Sequence, residues 1–397
     1  MITSIFALVL NLSVVQLATA KIHHLFVGNL GLPASIYALE FDDQELTLVN
    51  KRNITADSSH AWIAFDHSMK NVYGASLSAK RISSYSVHPN STLRLDASLN
   101  ATGACFNQTS AFVLPSSHPP YFAYTGSWAG PNGCGMAIST HPNGTLSNVT
   151  QSWKYVNTSA IHGLAFGPEE KLLYSADLSA DKIWTHAIGE DGLVSLVDRY
   201  DLPKAGMHPR HLAAHPNGKY LYVLMEHENT LVEYEVDKRT GAPVKELQTF
   251  SLLPEGLVHN FSREVDTSDP TTPGKNSSGY WSAEVMLSHR NSLLWASARA
   301  NTDTDYVGYI SCFGLRSDGK IRELLFMEPT TTTGGIANQV SPAPFSDEWM
   351  ALSDFPRGYV EIWPVMNLRE WEGVTARPVA KVEIGDGGCC ANTIWYD

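Results

Sequence analysis

The sequence predicts an all-β fold, a seven-bladed β-propeller closed by pairing of its N- and C-terminal strands. The first observation is a sevenfold repeat: an apolar strand, a turn, a strand carrying Tyr or Trp, then a hairpin. Its turns fall at Asp66-His67, Pro115-Ser116, Gly167-Pro168, His215-Pro216, Ser288-His289 and Ser346-Asp347, a spacing of about fifty residues that is typical of blades. The second is local chemistry. Strand-length runs rich in β-branched and aromatic residues, broken by Gly, Asn and Asp, indicate antiparallel hairpins, and no segment sustains a helical period. The third is an asymmetry of the ends. The first copy begins at its second strand, Leu25-Phe26-Val27-Gly28, while Cys390–Asp397 is an orphan strand of the innermost type. Pairing the two completes one blade and leaves no open edge between the ends of the ring.

The copies can be followed in order. After Phe26-Val27-Gly28 the second strands recur at Val72-Tyr73-Gly74, Phe122-Ala123-Tyr124, Leu173-Tyr174-Ser175, Leu221-Tyr222-Val223, Leu294-Trp295-Ala296 and Met350-Ala351-Leu352. The Asp191-Gly192 and Thr240-Gly241 pairs mark hairpins between third and fourth strands. The Gly-His and Trp-Asp pairs of WD40 blades do not recur, and so long a period is no signature of a β-sandwich.

Residues 1–20 read as a signal peptide and 21–397 as one propeller domain. Ile5 to Leu17 is almost wholly apolar, and Ala18-Thr19-Ala20 has the small-x-small form of a cleavage site, although no Lys or Arg precedes the run. No other stretch is long and apolar enough to span a bilayer. Asn53, Asn90, Asn100, Asn107, Asn143, Asn148, Asn157, Asn260 and Asn276 each head an Asn-x-Ser/Thr triplet, which fits a secreted glycoprotein. The chain has 5 cysteines, with no zinc-type spacing. Cys105 and Cys134, flanking one predicted blade, are the pair expected to form a disulfide. The net charge of −12 argues against nucleic acid or an anionic membrane as partner, but leaves room for a small anion in a locally basic site.

Propeller geometry says where chemistry lies. The start of strand one and the end of strand two in every blade meet at the same mouth of the central channel. His162 and Arg210 are in equivalent register, each six residues before the Pro of its turn (Pro168, Pro216). Glu226 and Arg299 are likewise equivalent, each four residues after the strand-two aromatic (Tyr222, Trp295). Asn338, Asp177 and Asp354 fall near the same rim. His23, His24, His118, His208 and His215 read instead as turn or packing residues, and Met225 as inter-blade core. No phosphate loop, nucleophile elbow or zinc motif is present.

With these residues in view the chain resembles the fungal 3-carboxy-cis,cis-muconate lactonizing enzymes, within the seven-bladed lactonase group that includes bacterial 6-phosphogluconolactonases. The stretches that carry the resemblance run the length of the chain. They are Lys21-Ile22-His23-His24-Leu25, Ile161-His162-Gly163, Leu173 to Leu178 with Trp184-Thr185-His186, and His208-Pro209-Arg210. They continue through Leu224-Met225-Glu226, Ser297-Ala298-Arg299-Ala300-Asn301, Ser346-Asp347-Glu348-Trp349-Met350-Ala351 and Ile394-Trp395-Tyr396-Asp397. The resemblance implies a cofactor-free, metal-independent cycloisomerase of aromatic-compound degradation, in which one carboxylate of a tricarboxylate diene adds to a double bond. It also implies an active site of His162, Arg210, Glu226 and Arg299. Those residue types suit such chemistry. Guanidinium forks bind carboxylates, a fixed cation stabilises developing charge, and His162 or Glu226 could deliver the proton to carbon.

One rim segment departs from the family pattern: where the family reads Gly-Gly-His before the Asn, this chain reads Gly334-Gly335-Ile336-Ala337-Asn338 and loses a polar rim side chain. Two other readings therefore stand beside cyclisation or lactone opening. One is a secreted, glycosylated binding propeller with a vestigial site; the other is a calcium-dependent lactonase, which two Arg beside Glu226 oppose.

Overall fold

The computed structural model describes residues 21–128, 133–258, 279–300 and 306–396. The signal-peptide segment 1–20 and the sequons at Asn260 and Asn276 lie outside the described residues.

Seven antiparallel sheets stand in a ring. The innermost strands are Thr393–Tyr396 (blade one), Trp62–Phe65, Ser110–Pro115, Ile161–Phe166, Pro209–Ala214, Tyr280–Leu287 and Ala337–Pro342 (blades two to seven). Each packs against the innermost strand of the next blade all the way round. Burial falls from centre to rim in a way the sequence explains. Second strands such as Tyr220–Met225 are buried on both faces, because neighbouring sheets cover them. Fourth strands such as Val194–Asp201 are largely exposed and carry the polar residues.

Closure follows the predicted route. His24–Val27 pairs antiparallel with Thr393–Tyr396, in the register His24 with Tyr396 and Val27 with Thr393. The regular strand, Thr393–Tyr396, starts later than the expected Cys390. Pairing nevertheless continues as single bonds, Gly28 N to Asn392 O and Ala391 N to Gly28 O. The Asn392 side chain, 3% exposed, then clamps blade two: its Oδ1 accepts from Ile63 N at 2.7 Å, and its Nδ2 donates to Ile63 O at 2.8 Å.

The recurring Tyr of strand two and the recurring Gly of the hairpin prove to be partners across blades. The Tyr124 hydroxyl donates to Gly192 O at 2.9 Å and that of Tyr174 to Gly241 O at 2.6 Å; Tyr73 and Tyr222 bond Gly144 O and Gly319 O in the same way. These four glycines have φ between +74° and +88°, a region costly for other residues, so the turn and the lock depend on the same residue.

Cys105, in the connection from blade two, is bonded to Cys134, on the third strand of blade three, with Cα atoms 5.4 Å apart. Cys389 is bonded to its neighbour Cys390, and Cys312 is free and buried.

Candidate active site

At one mouth of the channel the innermost strands of blades four, five and six each break register. The pairing slips at His162 between Ile161 and Gly163, at Arg210 between Pro209 and His211, and at Ala283-Glu284 between Ser282 and Val285. A bulge leaves its extra residue unpaired and re-aims side chains that strict alternation would send elsewhere. Glu226 follows the second strand of blade five, and Arg299 is near the end of that of blade six.

These four residues come together. Glu226 Oε1 lies 3.0 Å from Arg210 Nε and 2.5 Å from Arg299 Nη2. Arg210 Nη1 also donates to Ala283 O, which ties blade five to blade six. Arg299 lies 5.5 Å over the Trp281 ring, its cross-strand neighbour, and that ring is stacked in turn on His227. His162 packs edge-on against Trp128 at 4.7 Å between ring centroids. All four are nearly buried, with 9% of His162 exposed and 4–5% of the others.

Electrostatics assigns protonation states. Burial alone would raise the Glu226 carboxyl, but the Arg299 and Arg210 guanidinium groups outweigh it and hold the group below its ordinary value. Glu226 is therefore a carboxylate at neutral pH. Burial first, then Arg210, His211 and Arg299, drive His162 well below the usual histidine range, so it is neutral at pH 7. Burial lowers both arginines, which stay cationic at pH 7. Two guanidinium charges against one carboxylate leave the cluster cationic.

Asn338 is fully buried, and its side-chain Oδ1 and Nδ2 make no hydrogen bond to the protein; nor do Nε and Nη1 of Arg299. A Cβ on Gly334 (φ +82°) would stand 2.5 Å from Asn338 Nδ2 and 2.9 Å from Arg299 Cβ, so this glycine lets the rim segment close over both. Asp177 and Asp354 are structural. Asp177 accepts from Trp184 Nε1 and the backbone of Ala160 and Ala180, and Asp354 from Thr332. His208, expected as a turn or packing residue, directly precedes the strand Pro209–Ala214, and its ring stacks on His227 at 3.9 Å.

The sequence reading passed over Trp281, His227, His211 and Glu284. Periodicity could not reveal the last two, since the bulges suspend alternation there. Among the described residues no three His, Cys, Asp or Glu side chains are grouped as a metal centre would require.

The model of the family described as "Lactonase, 7-bladed beta-propeller" matches residues 16–335. The chain is also 38% identical to the carboxy-cis,cis-muconate cyclase of Neurospora crassa, over 95% of this chain and 100% of the relative. This chain belongs to the seven-bladed β-propeller lactonase family. More distant similarity reaches muconate cycloisomerase 1 of Cutaneotrichosporon cutaneum, 24% identical over 51% of this chain and 50% of the relative. Among solved structures, the periplasmic gluconolactonase of Pseudomonas aeruginosa superposes on this lactonase-family chain with a TM-score of 0.74. That likeness covers 95% of this chain and 99% of the other at 16% identity, and it speaks to the fold alone.

Proposed function

We propose that this chain is a cycloisomerase that closes 3-carboxy-cis,cis-muconate, or a close polycarboxylate, into its γ-lactone, with His162, Arg210, Glu226, Arg299 and Asn338 as the working residues. The observation that carries the reading is the pair of buried guanidinium groups on one Glu226 oxygen, with Arg299 Nε and Nη1 left for a second carboxylate. The similarity to the Neurospora cyclase along the whole relative supports the substrate class.

Arg210, Arg299 and the Asn338 amide bind and orient the carboxylates. A lone pair of one carboxylate oxygen forms the ring C–O bond. The π electrons of the attacked double bond move into the conjugated carboxyl, whose growing charge Arg299 stabilises by on the order of several kcal/mol. The adjacent carbon then takes one proton. Glu226, held ionised, is not its source. His162 is, because a bound polyanion offsets the arginine charges that otherwise keep it neutral. Run backwards, neutral His162 removes that proton and the lactone opens.

The test is loss of the conjugated-diene absorbance on mixing protein with 3-carboxy-cis,cis-muconate, with and without chelator. Turnover that survives chelation is expected. Binding of polycarboxylates without turnover would overturn the reading in favour of a binding propeller, and loss of turnover on chelation would favour a calcium lactonase.

We further propose that the protein is exported, with a mature start at Lys21, and glycosylated. In support, the seven sequon asparagines among the described residues, Asn53 to Asn157, are all exposed and lie on or just after blades one to three. Intact mass from a eukaryotic host before and after glycosidase tests it, and one mass equal to the unprocessed chain would refute it.

A further inference from the structure

The lactonisation scheme leaves one buried ionisable pair unused. His211 Nδ1 lies 2.8 Å from Glu284 Oε1, and both side chains are 2% exposed. They come from the innermost strands of blades five and six, each at a bulge. The His211 ring also meets Trp62 at 5.4 Å, Phe112 at 5.5 Å and His162 at 4.7 Å between centroids, from blades two, three and four. A side chain that touches the innermost strands of four other blades occupies the central channel. Gly163 makes the approach feasible: a Cβ there would stand 2.7 Å from Arg210 O and 2.9 Å from His211 Cα.

Three buried polar atoms of this group have no hydrogen-bond partner in the protein: His211 Nε2, His162 Nδ1 and Glu284 Oε2. A carboxylate on Nδ1 fixes the tautomer of an imidazole, so Nδ1–H faces Glu284 and Nε2 is the end that takes up a proton. Desolvating both partners is expensive if the pair only fills space.

We infer that His211, oriented by Glu284, is a positioning residue for the reaction, holding the proton that recharges His162 when a polyanion occupies the mouth. This rests on the lactonisation reading. The proton passes from His211 Nε2 to His162 and then to the substrate carbon. His211 ends neutral with Nδ1–H still on Glu284, and solvent replaces the proton, so no electron or further reactant is needed. The charged and titratable groups around His211 are Glu284 from blade six, Arg210 and Glu226 from its own blade, and His162 from blade four; Trp62 and Phe112 are uncharged. Burial is the largest influence and holds His211 below the ordinary histidine range, against the upward pull of Glu284. A bound polyanion acts in the same direction as Glu284.

Calorimetry of tricarballylate binding at pH 7, in two buffers of different ionisation enthalpy, counts protons taken up by the wild-type protein and by the Glu284→Gln and His211→Gln variants. Wild type should take up a proton on binding, and the variants less than half as much. In turnover, kcat should fall about tenfold or more with KM changed little, and the alkaline limb in Glu284→Gln should move to lower pH. Binding with no proton uptake by wild type overturns the inference and, with it, the charging of His162 on binding, with no variant needed; turnover of the diene by the same protein would still leave lactonisation standing. Variants that lose kcat and melting temperature together, with the pH profile unmoved, also overturn it. If wild type neither binds tricarballylate nor turns over the diene, the functional reading itself fails and takes this inference with it.

Discussion

Arg299 Nη2 stands 2.5 Å from the same Glu226 oxygen that Arg210 Nε approaches at 3.0 Å. One carboxylate thus compensates two guanidinium groups whose strands belong to different blades, and the ring is stitched together at the candidate site. Glu226→Gln would leave two buried cations facing each other across a neutral amide. Removing one partner of a buried pair costs roughly 3–5 kcal/mol, so a lowered melting temperature is expected. Added tricarballylate should recover part of that loss and stabilise the variant more than wild type. A melting temperature equal to wild type would show that Glu226 does not hold the cluster.

Binding and proton transfer should separate in kinetics. Arg210→Ala and Arg299→Ala each remove a charge-assisted contact worth about 1.5–3 kcal/mol, about ten- to a hundredfold in polycarboxylate affinity. His162→Asn keeps the arginines and removes the proposed proton donor, so kcat should fall about a hundred- to ten-thousandfold with KM within a few fold. Steady-state kinetics on the four proteins decides it. A His162→Asn variant with wild-type kcat would remove His162 from the chemistry.

The register of the site was legible because His162 and Arg210 precede matching Pro residues, and because Glu226 and Arg299 follow matching aromatics. Ring closure was legible from a first copy without an innermost strand. What could not be read arises where local pattern is suspended or where partners are distant. Bulges put Arg210 and His211, neighbours in sequence, into contact with different partners, Glu226 and Glu284. The Tyr–Gly locks join residues 67–97 positions apart, so each half looks like an ordinary strand or turn residue. The proposal of His162 rather than Glu226 as donor rests on the guanidinium contacts, which composition does not contain.

Closure of the ring depends on a short segment. Deleting residues 390–397 removes the strand Thr393–Tyr396, the Asn392 clamp on Ile63 and the buried Trp395, whose Nε1 donates to Ser341 O at 2.9 Å. Burial of a Trp alone is worth several kcal/mol by the cost of truncating it, about 3–5. The expected outcome is a sharp drop in melting temperature together with exposure of unpaired edges on blades one and two, seen as faster amide exchange at Leu25–Val27. An unchanged melting temperature would mean that the ring is not closed through this strand.

His186 gives the fold a pH dependence separable from catalysis. Its ring is 3% exposed, lies 5.5 Å from Tyr155 and 5.7 Å from Trp153, and has no hydrogen-bond partner for Nδ1 in the protein. Burial pushes it down to about 4. Above pH 6.5 the imidazole is neutral in both folded and unfolded chains and has no effect. Between 6.5 and about 4 the unfolded chain binds a proton that the folded chain does not, so stability falls as pH falls. At about 1.4 kcal/mol per pH unit the loss by pH 5 is roughly 2 kcal/mol. Asp177, Glu233, Asp354 and Glu361 are raised by burial and act in the opposite sense. They are common to wild type and a His186→Leu variant and cancel in the difference between them. Urea unfolding of both proteins at pH 7 and pH 5 should show wild type losing about 2 kcal/mol more than the variant. Equal losses would show that His186 is protonated as readily in the fold as in the unfolded chain.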